Sequence, residues 1–405
     1  MGLEHHGVSE GLSRFLSMVE QYAGRRPSLV TSAPGRMDFL NTHQDYKGLP
    51  VVPIAVNLRT YIGVVGKRPD TFLLHSLTLK ARGEDYMDEF SVKNPELVGG
   101  GWFGDYLRAV LRVVKERVGG ASIGGELVIY SDVPIGSGLA SSAALEVAFA
   151  EFLNHYWALN LEKIELAEMC FTAENAVMGI PCGRLDQYSA ALGKAILLYP
   201  KPPVRYELLE IGDVSLVAAD SGIRHSVRGI HPVRQSELNE GLRELKRISL
   251  PPRLKELIGE SFDTTRWEEI SYADLSPYLE RLGDKPSRRI AYTLLANEST
   301  KRALELMRSG SKDLSKLAHI INEQHELLRD LYDVSLPELE KIRSAMLENG
   351  ALAVKISGAG LGGCLIALCR DDESAESALK AAIEAGAVRG WRLRIDSGSS
   401  LDYSE

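Results

Sequence analysis

The stretch Pro134-Ile-Gly-Ser-Gly-Leu-Ala-Ser-Ser-Ala-Ala144 constrains this 405-residue chain more than any other. An apolar run at 126–130 leads into it, and small apolar residues at helix-compatible spacing follow from Leu139 to about Tyr156. The order is strand, glycine loop, helix. Glycines let a backbone curl around an anion with no Cβ in the way. A helix opening just after the loop adds free N–H groups and a positive dipole end. Hydroxyls at Ser137, Ser141 and Ser142 can donate to phosphate or coordinate Mg²⁺. No Gly-Lys-Ser/Thr follows the glycines, so this is not a Walker A loop. The same letters also fit a plain glycine turn capped by serines.

Two further stretches carry reactive side chains. Pro34 to Gly48 reads as a polar turn after a short strand, with Arg36, Asp38, His43 and Asp45 within ten positions and apolar flanks on both sides. Carboxylates and imidazoles bind sugar hydroxyls well, although Asp and Asn in such a loop also serve simply to cap turns. Gly179-Ile-Pro-Cys-Gly-Arg-Leu-Asp-Gln-Tyr188 breaks a helix and places Asp186 just after a rigid turn, with Glu174 upstream on the preceding helix. Near a phosphate loop, one carboxylate would hold Mg²⁺ and the other would take a proton from an attacking hydroxyl. The plainer alternatives are a helix cap for Asp186 and a surface helix residue for Glu174.

The rest of the chain supplies the frame. Helical spacing is expected at 12–22, 103–118 (stopped by Gly119-Gly120), 163–178 and 184–192, and strands at 28–36, 51–56, 60–66 and 195–199. Beyond about residue 230, long charged helices dominate (233–248, 287–308, 314–331, 336–348). Two strands then bracket a glycine turn at Ser357 to Gly363, and a last helix (373–386) precedes a terminal strand. This is an α+β chain, with one domain expected at 1–205 and a second at 206–405. The net charge of −8 argues against nucleic-acid binding. Cys170, Cys182, Cys364 and Cys369 form no CxxC pair, which points to reduced thiols in a cytoplasmic protein rather than zinc or a disulfide framework. Neither a secretory leader nor a run of about 18 apolar residues is found, so no membrane association is expected.

Taken together and in order, these motifs resemble the GHMP kinases, and the galactokinases in particular. Pro34 to Pro53 looks like the galactokinase signature, whose usual form is Gly-Arg-Val-Asn-Leu-Ile-Gly-Glu-His-Thr-Asp-Tyr-Asn-Gly-Gly. Pro134 to Ala144 looks like the family's phosphate motif, Lys355 to Leu368 like its third motif, and Gly179 to Tyr188 like the galactokinase Gly-x-Pro-Cys-Gly-x-x-Asp-Gln run. Trp102 and Tyr106 fit a Trp-x-x-x-Tyr element near the adenine. The resemblance implies a two-domain GHMP kinase fold of mixed sheets and helices, with the active site in the inter-domain cleft. ATP, Mg²⁺ and a small-molecule sugar would meet there, in a monomer or weak homodimer. It casts Asp186 as catalytic base with Arg36 beside it, and Ser142 and Glu174 as Mg²⁺ ligands. Pro134, Gly136, Ser137, Gly138, Leu139 and Ser141 would cradle the triphosphate, Trp102 the adenine, and Arg224 the phosphates. His43, Asp45 and Gly183 would contact the sugar.

The chain also departs from the signature. Thr42 stands where galactokinases carry a glutamate at the sugar's C6 end, His231 where they carry a tyrosine near C4, and Asn41 replaces a glycine. Loss of a carboxylate and gain of an imidazole would suit a C6 carboxylate, and Ser221 to Arg224 and Ser357 to Gly360 resemble the plant galacturonokinases. A uronic acid is therefore an alternative acceptor. Ala140 replaces the first serine of the usual run. A catalytically weak sugar sensor and a mevalonate- or homoserine-type kinase are further readings. The intact Ser141-Ser142 and Asp186 argue against the first, and the His43-x-Asp45-Tyr46 and Gly183-x-x-Asp186-Gln187 elements against the second.

Overall fold

The computed structural model describes residues 10–119, 123–212, 214–224, 227–310 and 313–405, without the side chains of residues 227 and 228. Its strands are β1 (Leu29–Leu40), β2 (Val52–Arg68), β3 (Thr71–Ser76), β4 (Met87–Ser91), β5 (Gly124–Ser131), β6 (Ile196–Tyr199), β7 (Arg205–Leu208), β8 (Ser215–Asp220), β9 (Ala351–Ile356), β10 (Cys364–Cys369), β11 (Arg389–Leu393) and β12 (Ser400–Ser404). A six-stranded sheet runs in the order β12-β1-β2-β5-β3-β4, with only the β3–β5 pair parallel. A four-stranded antiparallel sheet runs β11-β8-β10-β9, and β6-β7 form a ribbon.

Strand alternation decides what covers each face. In β5, Leu127 and Ile129 face the helices Phe103–Val118, Ser141–Tyr156, Lys163–Thr172 and Leu185–Leu192, whereas Val128 faces Leu12, Phe15 and Val19 of the helix Glu10–Ala23. In the second sheet, Val217 and Ala219 pack towards the helices Pro337–Glu348 and Asp372–Ala385. Leu216 and Ala218 point the other way, into a cluster that also holds Met37, Phe39 and Ile54 of the first sheet. The two sheets thus share one apolar core, which holds the cleft between them at a set width. The helices Val227–Arg247 and Asp284–Arg308 enclose a separate core around the fully buried Trp267. No helix of the described residues is long and apolar enough to cross a membrane.

Several elements differ from the sequence expectation, each for a local reason. β1 does not turn at Pro34-Gly35 but runs on to Leu40, because the proline sits at a register shift where its missing N–H is tolerated. Arg36 and Asp38 therefore stand on a strand, not in a loop. The runs at 51–56 and 60–66 are one 17-residue strand, β2. The helix expected to reach Met178 ends at Thr172 and continues as a π-helical turn, Ala173–Val177, which carries Glu174. Gly120 lies outside the described residues; Gly119 (φ 68°) ends the helix before it. A division at 205/206 cuts β7, and it separates β12 from the first sheet, where it pairs with β1.

Phe39 is 1% exposed in the cluster that joins the two sheets. Phe39→Ala is expected to cost about 3–5 kcal/mol, read as a lower midpoint in chemical denaturation with an unchanged m-value.

Candidate active site

A cleft of about 800 Å³ opens between the sheets. Its phosphate end is built on glycines. A Cβ on Gly35 would meet the Leu139 carbonyl at 2.7 Å, so only glycine lets the 134–140 loop lie directly on β1. There the Arg36 N–H donates to the Leu139 carbonyl (3.0 Å) and Arg36 Nη1 to the Gly138 carbonyl (2.6 Å). The loop's other side meets the turn at 357–363. A Cβ on Gly138 would stand 2.3 Å from the Ser357 carbonyl, and the Cys364 N–H donates to the Ser137 carbonyl at 2.6 Å. The helix Ser141–Tyr156 then starts with no side chain capping its first turn, which leaves free N–H groups beside the cleft-lining Ser141 and Ser142.

Arg36 links this end to Asp186. Its Nε donates to Asp186 Oδ1 at 2.8 Å and its Nη2 lies 2.7 Å from the same oxygen. The guanidinium is 5% exposed, whereas the Asp186 side chain is 32% exposed and open to the cleft. Behind Asp186, Gln187 donates to both Glu146 (3.1 Å) and Glu174 (2.5 Å). Burial, followed by the Asp186 charge, raises Glu174 to about 7, and burial with the neighbouring Glu174 pushes Glu146 well above the usual carboxylate range. The Ser142 hydroxyl beside Glu174 works against that rise. Among the described residues no lysine or arginine forms an ion pair with Glu146 or Glu174.

The opposite end carries His43, Asp45, Tyr46, Gly183 and His231. Asp45 Oδ2 accepts from the Leu185 N–H at 3.1 Å, and a Cβ on Gly183 would stand 1.9 Å from that oxygen, so glycine is required there. The His43 and His231 rings meet edge-on at 5.0 Å, each bonded to a backbone carbonyl, Ala359 at 3.1 Å and Pro181 at 3.2 Å. Burial lowers both imidazoles, His43 well below its usual range, so they are neutral at pH 7. Trp102, against Phe103 at 4.9 Å, lines the remote end with Tyr106 and Leu79.

Four expected residues stand otherwise than the motifs imply. The Thr42 hydroxyl accepts from the buried Lys355 (2.7 Å) and does not line the cleft. Ser137 Oγ turns back onto the Pro134 carbonyl (2.8 Å), so both serve the loop's own shape. The Leu139 side chain is fully buried in the core, leaving only its backbone at the loop. Arg224 lies over Gly136 with its two terminal nitrogens on Asp220 (2.7 and 2.6 Å), so its charge is already shared. Sequence reasoning passed over Glu146 and Lys355. A lone glutamate in an otherwise small, apolar helix and a lysine closing an apolar strand were the available signals.

Comparison with known proteins follows the same lines. Residues 105–194 match the GHMP kinases N terminal domain, 301–388 the GHMP kinases C terminal domain, and 19–65 the galactokinase galactose-binding signature. The chain is 32% identical over 390 residues to a galactokinase of Chloroflexus aggregans, covering 94% of each, and 30% identical over 350 residues to one of Clostridium acetobutylicum, covering 85% of each. The structure of Lactococcus lactis galactokinase complexed with galactose superposes with a TM-score of 0.81 at 24% identity, over 96% of this chain and 99% of that one. Methanococcus jannaschii mevalonate kinase gives 0.65 at 16% identity, over 91% and 99%.

Glu174 sets a pH dependence. Its carboxyl binds a proton more tightly folded (about 7) than unfolded (4.5), so stability falls as pH rises through that window, by at most about 1.4 kcal/mol per pH unit for one proton. Glu174→Gln is expected to flatten the loss of melting temperature between pH 4.5 and 7 in ligand-free protein.

Proposed function

The chain belongs to the galactokinases of the GHMP kinase family, and we propose that this galactokinase-like sugar 1-kinase transfers the γ-phosphoryl group of ATP to the anomeric hydroxyl of galactose. The observation that carries the reading is the Arg36–Asp186 pair, which stands between the uncapped helix Ser141–Tyr156 and the polar pocket of His43, Asp45 and His231.

The residues divide the work as follows. Asp186, open to the cleft, takes the proton of the anomeric hydroxyl as its oxygen bonds to the γ-phosphorus. The bond from that phosphorus to the bridging oxygen breaks, ADP leaves, and the proton passes on to solvent. Arg36 and the free N–H groups of the helix face the charge that develops on the phosphoryl oxygens. Gly136 and Gly138 let the chain approach the phosphates, and Trp102 packs against the base, while Arg224, held on Asp220, shapes the loop at Gly136. Ser142 and Glu174 fit Mg²⁺: both offer hard oxygen donors, and among the described residues Glu174 has no cationic partner. When bound, the ion neutralises phosphate charge. His43, Asp45 and His231 orient the sugar, with Gly183 holding Asp45 in reach. The two-domain division is drawn near 205/206, with β12 reckoned to the first unit.

A galacturonate acceptor loses its support at position 42, because Thr42 is turned to Lys355 and opens no space for a second carboxylate. Asp38, Asp45 and Asp186 all line the same cleft beside neutral imidazoles, a poor setting for an anionic sugar.

In a coupled ADP-release assay with Mg·ATP, galactose is expected to turn over and galacturonate to fail. Asp186→Asn should lower kcat about 10²- to 10⁴-fold with ATP binding retained. Turnover confined to galacturonate sinks the galactose reading, silence with both sugars despite ATP binding makes the protein a sensor, and an unimpaired Asp186→Asn removes the base.

A further inference from the structure

Asp38 is a cleft-lining group to which the phosphoryl-transfer roles above give no task. Resting on the sugar-kinase reading, we propose that Asp38 is this chain's substitute for the carboxylate missing at position 42. It accepts a hydrogen bond from a non-reacting hydroxyl of the acceptor sugar and so selects neutral, hydroxyl-bearing acceptors.

Three observations carry this. The first is placement. Asp38 lies two residues from Arg36 on β1, hence on the same side of the strand, and both line the cleft. Its carboxyl is within electrostatic reach of Arg36, Asp45, Asp186 and His231, so it stands at the sugar end beside the reacting centre.

The second is fixation without satisfaction. The Asp38 N–H donates to Ser357 Oγ at 3.0 Å and its carbonyl accepts from Lys355 Nζ at 2.6 Å, so the residue is clamped from both sides of its backbone. The residue is 4% exposed, yet Oδ1 is buried with no partner. Its neighbours differ: Asp45 holds the Leu185 N–H and Asp186 holds Arg36. A buried acceptor left unmatched is costly, and a donor hydroxyl from a ligand removes that cost.

The third is an exchange within the motif. The galactokinase-type signature carries Asn at the place of Asp38 and Glu at the place of Thr42. This chain has one carboxylate fewer at 42 and one more at 38. The loss at 42 is filled by Lys355, which reaches both the Thr42 hydroxyl and the Asp38 carbonyl and so couples the two positions.

The test uses purified full-length wild type, Asp38→Asn and Asp38→Ser with galactose and its 2-, 3-, 4- and 6-deoxy analogues. Asp38→Asn is expected to lower kcat/KM for galactose about 10- to 100-fold while KM for ATP stays within twofold. On one deoxy analogue, the one lacking the bound hydroxyl, wild type and both variants should agree within twofold. A loss of equal size on every analogue, or none on galactose, overturns the proposal. Calorimetric binding of the same sugars reads the contact without turnover. A silent kinase assay with intact, Asp38-dependent binding therefore rejects the phosphoryl-transfer reading alone, and Asp38-independent binding rejects this one.

Discussion

Everything in the cleft depends on two glycine turns that touch backbone to backbone. The phosphate loop and the 357–363 turn come from different sheets, and at Gly138, Gly358 and Gly363 a Cβ would stand 2.3–2.8 Å from the facing main chain. The Gly138 carbonyl accepts from both Ser357 Oγ (2.9 Å) and Arg36 (2.6 Å), so one oxygen ties the third motif, the phosphate loop and the reacting arginine together. With the apolar cluster behind it, this contact makes the site a property of both halves.

The second governing feature is how charge is stored. The cleft shows carboxylates, while the lysines nearest to it are buried. Lys355 is held at about 8 by burial against the Asp38 charge, and burial pushes Lys47 well below the usual lysine range inside a ring of Tyr46, Tyr292 and Tyr332. These lysines brace main-chain and hydroxyl oxygens, Asp38, Thr42 and Thr293 among them. The groups lining the His43 end of the cleft are thus acceptors and neutral rings on a foundation of buried lysines. The end built on the 134–140 loop is the reverse, with Arg36 and free N–H groups turned towards the cleft.

How far this could be read from the sequence follows from the range of the forces involved. Local signals worked where structure is local: the helices at 103–118 and 314–331, the strand–glycine loop–helix unit, and the turn bracketed by β9 and β10. Reading failed where tertiary contact overrides local letters. Pro34-Gly35 looks like a turn, but pairing with β2 on one side and the loop packed on Gly35 keep it extended. The strands β3, β4, β7 and β8 were not anticipated. Within the site, the motifs located Arg36, Asp186, Ser142 and Glu174 together. They did not reveal that Thr42 and Ser137 turn inward, because side-chain direction there is decided by Lys355 and by the Pro134 carbonyl, neither visible as periodicity.

The pairing of β12 with β1 carries a consequence for biogenesis. β1 holds Arg36 and Asp38, and residues 400–404 of β12 pair with its first residues, 29–32. Until β12 is made, β1 is an edge strand of the first sheet, open along residues 29–32 while the helical second half is synthesised. Such an edge pairs readily with another chain. A truncation at residues 400–404 leaves that edge open at the start of the strand that carries Arg36.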